Sequence, residues 1–322
     1  MKNLDRPRFG PDGKGNSFGT WARQRFMRRS IMEAQPRASN SAYPELLTQG
    51  CFTMVQLTRS SRQPLGNNYK FGDNNIAARR LSTVADVFDA SSRAFLLRSA
   101  SQPVRLAVDL GCGPGHSTRL IAEVVQAQRV VGLDRSEAFL ARAGTQGAPP
   151  ISYQQHDVTT TPFPVEEQPD LLYARLLLSH LRDAVSVVGR WTRVLGLGGR
   201  LLLDEVNSVD TEDPVAMDYQ RVVQAMLVQN GQRLDVGRLL SQMPDPAGTV
   251  IRKDHLVEVR PTSRQVGRMF ALNLRVWSSD PYVIAEFGEK WLARLQDRLD
   301  QAASGEADIP VTWTMRQMVL GI

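Results

Sequence analysis

The chain is poor in cysteine and has no long apolar run. Two cysteines, Cys51 and Cys112, in 322 residues are too few for a disulfide framework or a zinc site, so a reducing, cytoplasmic compartment is expected. No stretch approaches the ~18 apolar residues of a membrane-spanning helix, and no membrane partner is expected. Arg28-Arg29 is not followed by an apolar segment, which argues against an export signal. No cluster of metal ligands stands out, and no metal is expected. The glycine-rich stretch at 111–115 is followed by no Lys-Ser/Thr pair, which excludes a phosphate-cradling P-loop.

Acidic residues are scarce in one region. Residues 1–68 hold 11 Lys and Arg against 4 Asp and Glu, which leaves 28 against 29 for residues 69–322. The net charge of +6 therefore belongs to the tail. Such a tail could hold nucleic acid through phosphate contacts. It has no recognisable reader motif and little aromatic interleaving, and a basic, poorly ordered extension is the favoured reading. The remainder, 69–322, is expected to be one folded domain. Its parts are a helical lid over 69–100, a ligand-binding core over 104–206, an insertion over 210–250 and C-terminal strands and helices over 251–322.

The centre of that domain is Val104 to Thr118, Val-Arg-Leu-Ala-Val-Asp-Leu-Gly-Cys-Gly-Pro-Gly-His-Ser-Thr. Its first seven residues are apolar and branched enough for a buried parallel strand. Gly111, Gly113 and Gly115 then turn the chain. Ser117 and Thr118 are expected to satisfy amides at the start of a helix over 116–126. Strand, glycine turn and helix make half of a nucleotide-binding βαβ unit. The dinucleotide fingerprint Gly-x-Gly-x-x-Gly is not matched, because its third position is His116 and the third glycine comes one residue early. A glycine triplet alone also suits a turn that binds nothing, so the downstream partners decide.

Arg129-Val-Val-Gly-Leu-Asp134 reads as the second strand. Its terminal carboxylate lies nineteen residues after Gly115, close to the ~20 expected of an acid that grips ribose hydroxyls. Ile151 to His156, Pro169 to Leu178 and Gly198 to Val206 read as three further strands. Asp-Leu-Gly-Cys-Gly-Pro-Gly, with Asp109 two residues before the first glycine, resembles the first motif of the class I S-adenosylmethionine-dependent methyltransferases of the small-molecule type.

The resemblance implies a Rossmann-like, doubly wound α/β fold. Its seven-stranded, mostly parallel sheet has helices on both faces and an antiparallel last strand. It implies S-adenosylmethionine as cofactor and a small molecule as substrate. The turn from Gly111 to Gly115, with Cys112 and Gly113, would then hold the amino acid end, and Asp109 before it would belong to the same cofactor site. Asp134 and Arg135 would lie at the ribose, and Asp157 and Val158 at the adenine. Cys112 reads as a small residue that fits the turn, since no general base stands near it in sequence.

The carboxyl end of the fourth strand carries the chemistry candidates, because ligands sit there in open α/β sheets. Arg175 could meet a carboxylate of cofactor or substrate, or pair with a neighbouring acid. His180 is the candidate base. Asp204 and Glu205 end the fifth strand, and one of them is expected to face the pocket. The place after the fourth strand reads Arg175-Leu-Leu-Leu rather than Asn/Asp-Pro-Pro-aromatic. That argues against methylation of nucleic-acid amines, and a nucleic-acid substrate is not expected.

Two other classes remain open at this level: an NAD-dependent α/β enzyme, and a protein that binds the cofactor, or nucleic acid through its tail, without catalysis. Oligomeric state is not readable.

Around this core the periodicity predicts a helix from Asn74 or Asn75 to about Ala100, interrupted near Asp89 to Ser92. Tyr69 and Phe71 are lid candidates beside it. Further helices are predicted over Ser136–Ala143, Asp213–Asn230, Ser263–Trp277 and Pro281–Ala303. Strands are predicted over Val250–Arg260 and Pro310–Leu320.

Overall fold

A computed structural model describes residues 75–100 and 103–322. The basic extension over 1–68 and the lid candidates Tyr69 and Phe71 lie outside these residues. Nine helices and seven strands alternate along the described chain, beginning with α1 (Asn75–Ser99), β1 (Leu106–Leu110), α2 (His116–Val125) and β2 (Arg129–Asp134). There follow α3 (Glu137–Gly144), β3 (Ile151–Gln155), β4 (Leu171–Arg175), a 3-10 turn (Leu178–His180), α4 (Ala184–Thr192) and β5 (Arg200–Asp210). The C-terminal part contains α5 (Pro214–Gln229), α6 (Val236–Leu240), β6 (Val250–Val259), α7 (Ser263–Trp277), α8 (Pro281–Phe287), α9 (Glu289–Ser304) and β7 (Thr312–Gly321).

The strands form one sheet in the order β3-β2-β1-β4-β5-β7-β6. β1 pairs in parallel with β2 and β4, and the parallel ladder continues to β3 on one side and β5 on the other. β7 enters antiparallel between β5 and β6. This is the fold implied by the glycine motif, with its antiparallel last strand.

Both sheet faces are covered, so the central strands read as unbroken apolar runs. On one face Leu106, Val108, Leu110, Leu172 and Leu203 pack with Trp191 of α4 and Leu240 of α6. On the other, Ala107, Leu171, Tyr173 and Leu202 pack with Phe95 of α1 and Ile121 of α2. A third cluster joins α1, α5, α7, α8 and α9 to the far end of β7, through Phe88, Tyr219, Phe270, Val283, Leu295 and Trp313.

Local chemistry explains most element boundaries. Ser136 Oγ accepts from Phe139 N, and Asp213 Oδ1 accepts from Val215 N and Ala216 N ahead of Pro214. Thr262 and Gln265 form a capping box at the start of α7. Such caps stabilise a helix start by ~1 kcal/mol.

Two helices differ from expectation. α1 runs unbroken through Asp89–Ser92, because the serines there have distant partners. Ser92 Oγ donates to Asp204 Oδ2 of β5 at 2.7 Å, and Ser91 Oγ accepts from Gln317 Nε2 of β7 at 3.1 Å. Conversely, the helix expected over Pro281–Ala303 divides at Gly288, which takes φ 78° between α8 and α9.

Candidate active site

The site begins at the carboxyl end of β1. Gly111 has φ 68°, and a Cβ there would lie 2.5 Å from Leu177 Cδ1, so only glycine fits without a shift. Gly115, at φ 83°, is the N-cap of α2 and provides no side-chain bond. A Cβ on it would strike the Tyr153 hydroxyl. Gly115 thus packs helix against strand and does not line the ligand space.

Asp109 lies beneath this loop, 1% exposed. Its Oδ2 accepts from Ser117 Oγ at 2.7 Å and Thr118 Oγ1 at 2.6 Å. The two hydroxyls expected to cap α2 therefore tie its first turn to β1 instead. Burial pushes the Asp109 carboxyl up to about 6, against the opposing pull of the Thr118 and Ser117 hydroxyls. Asp109 and Gly115, expected at the cofactor, hold the loop from behind.

Asp134 ends β2 facing the loop. Its Oδ2 accepts from Gly113 N at 2.8 Å, and its Oδ1 accepts from Ser136 N at 2.8 Å. Burial raises its pKa, while the Ser136 and Gly113 amides pull the other way. Asp157, after β3, accepts the Thr159 amide at 2.9 Å and the Thr159 hydroxyl at 2.7 Å through Oδ1. Partial burial raises its pKa, but the Thr159 bonds outweigh this and hold it below the ordinary carboxylate value.

These residues line a cleft of about 700 Å³ at the carboxyl edge of the sheet, within the range of small-molecule sites. Gly111, Cys112 and Gly113 form one wall, Asp134 and Arg135 the next, and Asp157 and Val158 a third. Leu81 and Val84 of α1 reach over it, so the stripe on this helix is cleft wall as well as core. Cys112 is buried, and burial pushes its thiol well up, which suits a space-filling residue rather than a nucleophile. His116 lines the cleft from the position where a dinucleotide fold carries glycine. Burial pushes it down to about 4, with Arg119 and Arg175 adding to the effect. The mismatch with the dinucleotide pattern was the signal that could have marked it.

Arg175 and His180 close the fourth side. Arg175 Nη1 donates to Ser92 Oγ at 3.3 Å, and among the described residues no salt bridge engages it. Burial pushes the His180 imidazole down to about 3, so it is neutral at physiological pH. The expectation that Asp204 or Glu205 faces the pocket is not met. Asp204 is buried and accepts from Ser92 Oγ, Tyr173 Oη and Gln317 Nε2, a hub that joins α1, β4 and β7. Glu205, 0% exposed, uses Oε1 to accept from the Leu177 and Leu178 amides, both at 2.9 Å. It thereby fixes the turn after β4, where Leu176 takes φ 53°.

A second cavity, of about 120 Å³, adjoins the cleft and shares Leu81, Val84, Leu176 and His180 with it. Among the described residues no group of three or more His, Cys, Asp or Glu could hold a metal ion, and no helix is long and apolar enough to cross a membrane.

The cleft suits S-adenosylmethionine by its donor set. Asp134 uses one lone pair of each carboxylate oxygen on a backbone amide, and the others remain for a pair of hydroxyls. Beside it, Gly111 and Gly113 line the cleft at positive φ.

Comparison with known proteins agrees. Residues 108–203 match the family of methyltransferase domains. The chain is 35% identical over 159 residues to trans-aconitate 2-methyltransferase of Methylobacterium radiotolerans, covering 47% of this chain and 57% of that protein. It is 28% identical over 257 residues to an uncharacterized 37.1 kDa protein in transposon TN4556 of Streptomyces fradiae, covering 74% and 70%. The match to the first of these thus spans little more than half its length. A candidate type II methyltransferase from Anaeromyxobacter dehalogenans has a similar fold, with TM-score 0.50 and 21% identity over 71% of this chain and 94% of that one. Residues 108–203 are thus similar to a methyltransferase domain, on a Rossmann-like sheet of the kind that the resemblance to class I S-adenosylmethionine-dependent methyltransferases implies.

Proposed function

We propose that the protein transfers the methyl group of S-adenosylmethionine to a small-molecule nucleophile. The observation that carries this reading is Asp134 in the wall of the cleft of about 700 Å³, bonded to Gly113 of the glycine loop. Asp134 would accept from the ribose hydroxyls, with Arg135 alongside. Asp157 would accept from the adenine amino group, and Val158 would pack on the ring. The backbone from Gly111 to Gly113 would meet the amino acid end, and Arg175 its carboxylate.

The sulfonium supplies an electrophilic methyl group with a good leaving group. The acceptor would give the electron pair of the new bond to carbon while the sulfur–carbon pair stays on sulfur, and a hydroxyl or amino acceptor would release its proton to solvent. The chain's own task is to hold the acceptor in line and exclude water, which can lower a barrier by ~7–11 kcal/mol. His180 serves as a neutral wall and hydrogen-bonding group rather than as a base, because a group with a pKa of about 3 takes a proton from a hydroxyl poorly. A carboxylate acceptor needs no base.

The test is incubation of the full chain with methyl-labelled S-adenosylmethionine and panels of hydroxy, carboxylic and amino compounds. Label should move to an acceptor with equal release of S-adenosylhomocysteine. Tight cofactor binding with no transfer to any panel would favour a non-catalytic binding protein.

A further inference from the structure

The cavity beside the cleft differs from it in character. Phe88, Tyr219, Phe270 and Trp313 form much of its wall. The Tyr219 and Phe270 rings stack with centroids 3.7 Å apart, and Trp313 follows at 5.8 Å from Phe270. A cavity of about 150 Å³ lined by apolar groups holds one benzene, so about 120 Å³ is room for one small ring. Arg80 is the one Asp, Glu, Lys or Arg among the described residues that line it.

Ser179, His180 and Gln220 add polar groups to the lining, and a bonded polar pair lies among the aromatic rings. Asn273 of α7 is 5% exposed and lines the cavity. Its Nδ2 donates to the hydroxyl of Tyr219, which is 4% exposed. Its Oδ1 is buried with no hydrogen-bond partner. Burying an amide oxygen in that state is costly, and a ligand donor that reaches it through a small shift of the Asn273 side chain would remove the cost. The Tyr219 hydroxyl accepts from Asn273, so its own proton is left for a second partner.

Resting on the methyl-transfer reading, we infer that this cavity seats the methyl acceptor. The structure assigns it a single-ring, mainly apolar molecule with one hydrogen-bonding substituent, and makes Asn273 and Tyr219 the residues that select it. A tricarboxylate such as trans-aconitate is a poor occupant, because three charges would lose water against an aromatic wall with one cation to balance them.

The test titrates the full-length protein, without cofactor, with p-cresol, toluene and trans-aconitate. p-Cresol is expected to bind about tenfold more tightly than toluene, and trans-aconitate more weakly than p-cresol. Asn273→Leu should remove most of the p-cresol advantage and leave toluene binding within about twofold. Tyr219→Phe keeps the ring stack and should reduce the same advantage, which guards against a poorly folded Leu variant. A p-cresol to toluene ratio unchanged in both variants, or trans-aconitate as the tightest ligand, would overturn the assignment. Failure of the parent protein to bind S-adenosylmethionine would instead defeat the methyl-transfer reading, whatever the outcome of these titrations.

Discussion

Asp134 Oδ2 accepts the amide hydrogen of Gly113 at 2.8 Å, so the acid that ends β2 holds the loop that follows β1. One carboxylate therefore has two jobs: it orders the glycine turn and offers its remaining lone pairs to the cleft. Asp134→Ala removes both. The expected result is a loss of ~1–3 kcal/mol in S-adenosylmethionine binding, read by calorimetry, with the circular dichroism spectrum preserved. An unchanged affinity would take Asp134 out of the site.

Gly111 makes a second prediction through its contact with Leu177. In Gly111→Ala the new Cβ must sit at φ 68° and displace Leu177 Cδ1, 2.5 Å away, and Leu177 itself lines the cleft. The variant should lose ~1–3 kcal/mol of stability and bind cofactor more weakly. A melting temperature and affinity equal to the parent's would mean that the loop relaxes freely.

Glu205 ties stability to pH. Burial pushes its carboxyl from 4.5 up to about 8, so the folded chain keeps this proton where the unfolded chain has lost it. The stability linked to that proton is complete below about pH 4.5, declines at ~1.4 kcal/mol per pH unit, and is gone above about pH 8. Glu205→Gln keeps an acceptor for Leu177 and Leu178 but carries no titrating proton. Urea unfolding of both proteins from pH 5 to 8 should show the parent weakening relative to the variant as pH rises. Parallel curves would contradict the buried-proton account. Asp109, also raised by burial, is present in both proteins and cancels.

His180 yields a kinetic prediction. Loss of a general base costs 10²–10⁴ in rate. If His180 is a neutral wall, His180→Gln should keep methyl transfer within about tenfold of the parent. The rate of the parent should also show no inflection near pH 6.5 that the variant lacks. A loss of a thousandfold, or such an inflection, would restore His180 as the base.

The legible parts of this protein are those set by near neighbours in sequence. The apolar run 104–110, the glycines after it and the spacing to Asp134 identified the first βα unit and its cleft. Ser136 and Asp213-Pro214 marked helix starts within a residue, because caps are local bonds. What stayed hidden depends on distant partners. Ser92 reads as a helix interruption until Asp204 of β5 supplies its hydrogen bond. Asp109 reads as a ligand-facing acid until the pleat turns it towards Ser117 and Thr118. The cavity with Asn273 joins α1, α5, α7 and β7, which no single stretch reveals. The break at Gly288 had a signal, the glycine itself, that helical periodicity on both sides concealed.

The most direct measurement is calorimetric titration of the full-length protein with S-adenosylmethionine and, separately, with NAD. The account predicts micromolar binding of S-adenosylmethionine at one site, weakened in Asp134→Ala, and no heat from NAD. Binding of NAD, or the absence of binding by S-adenosylmethionine, would contradict it.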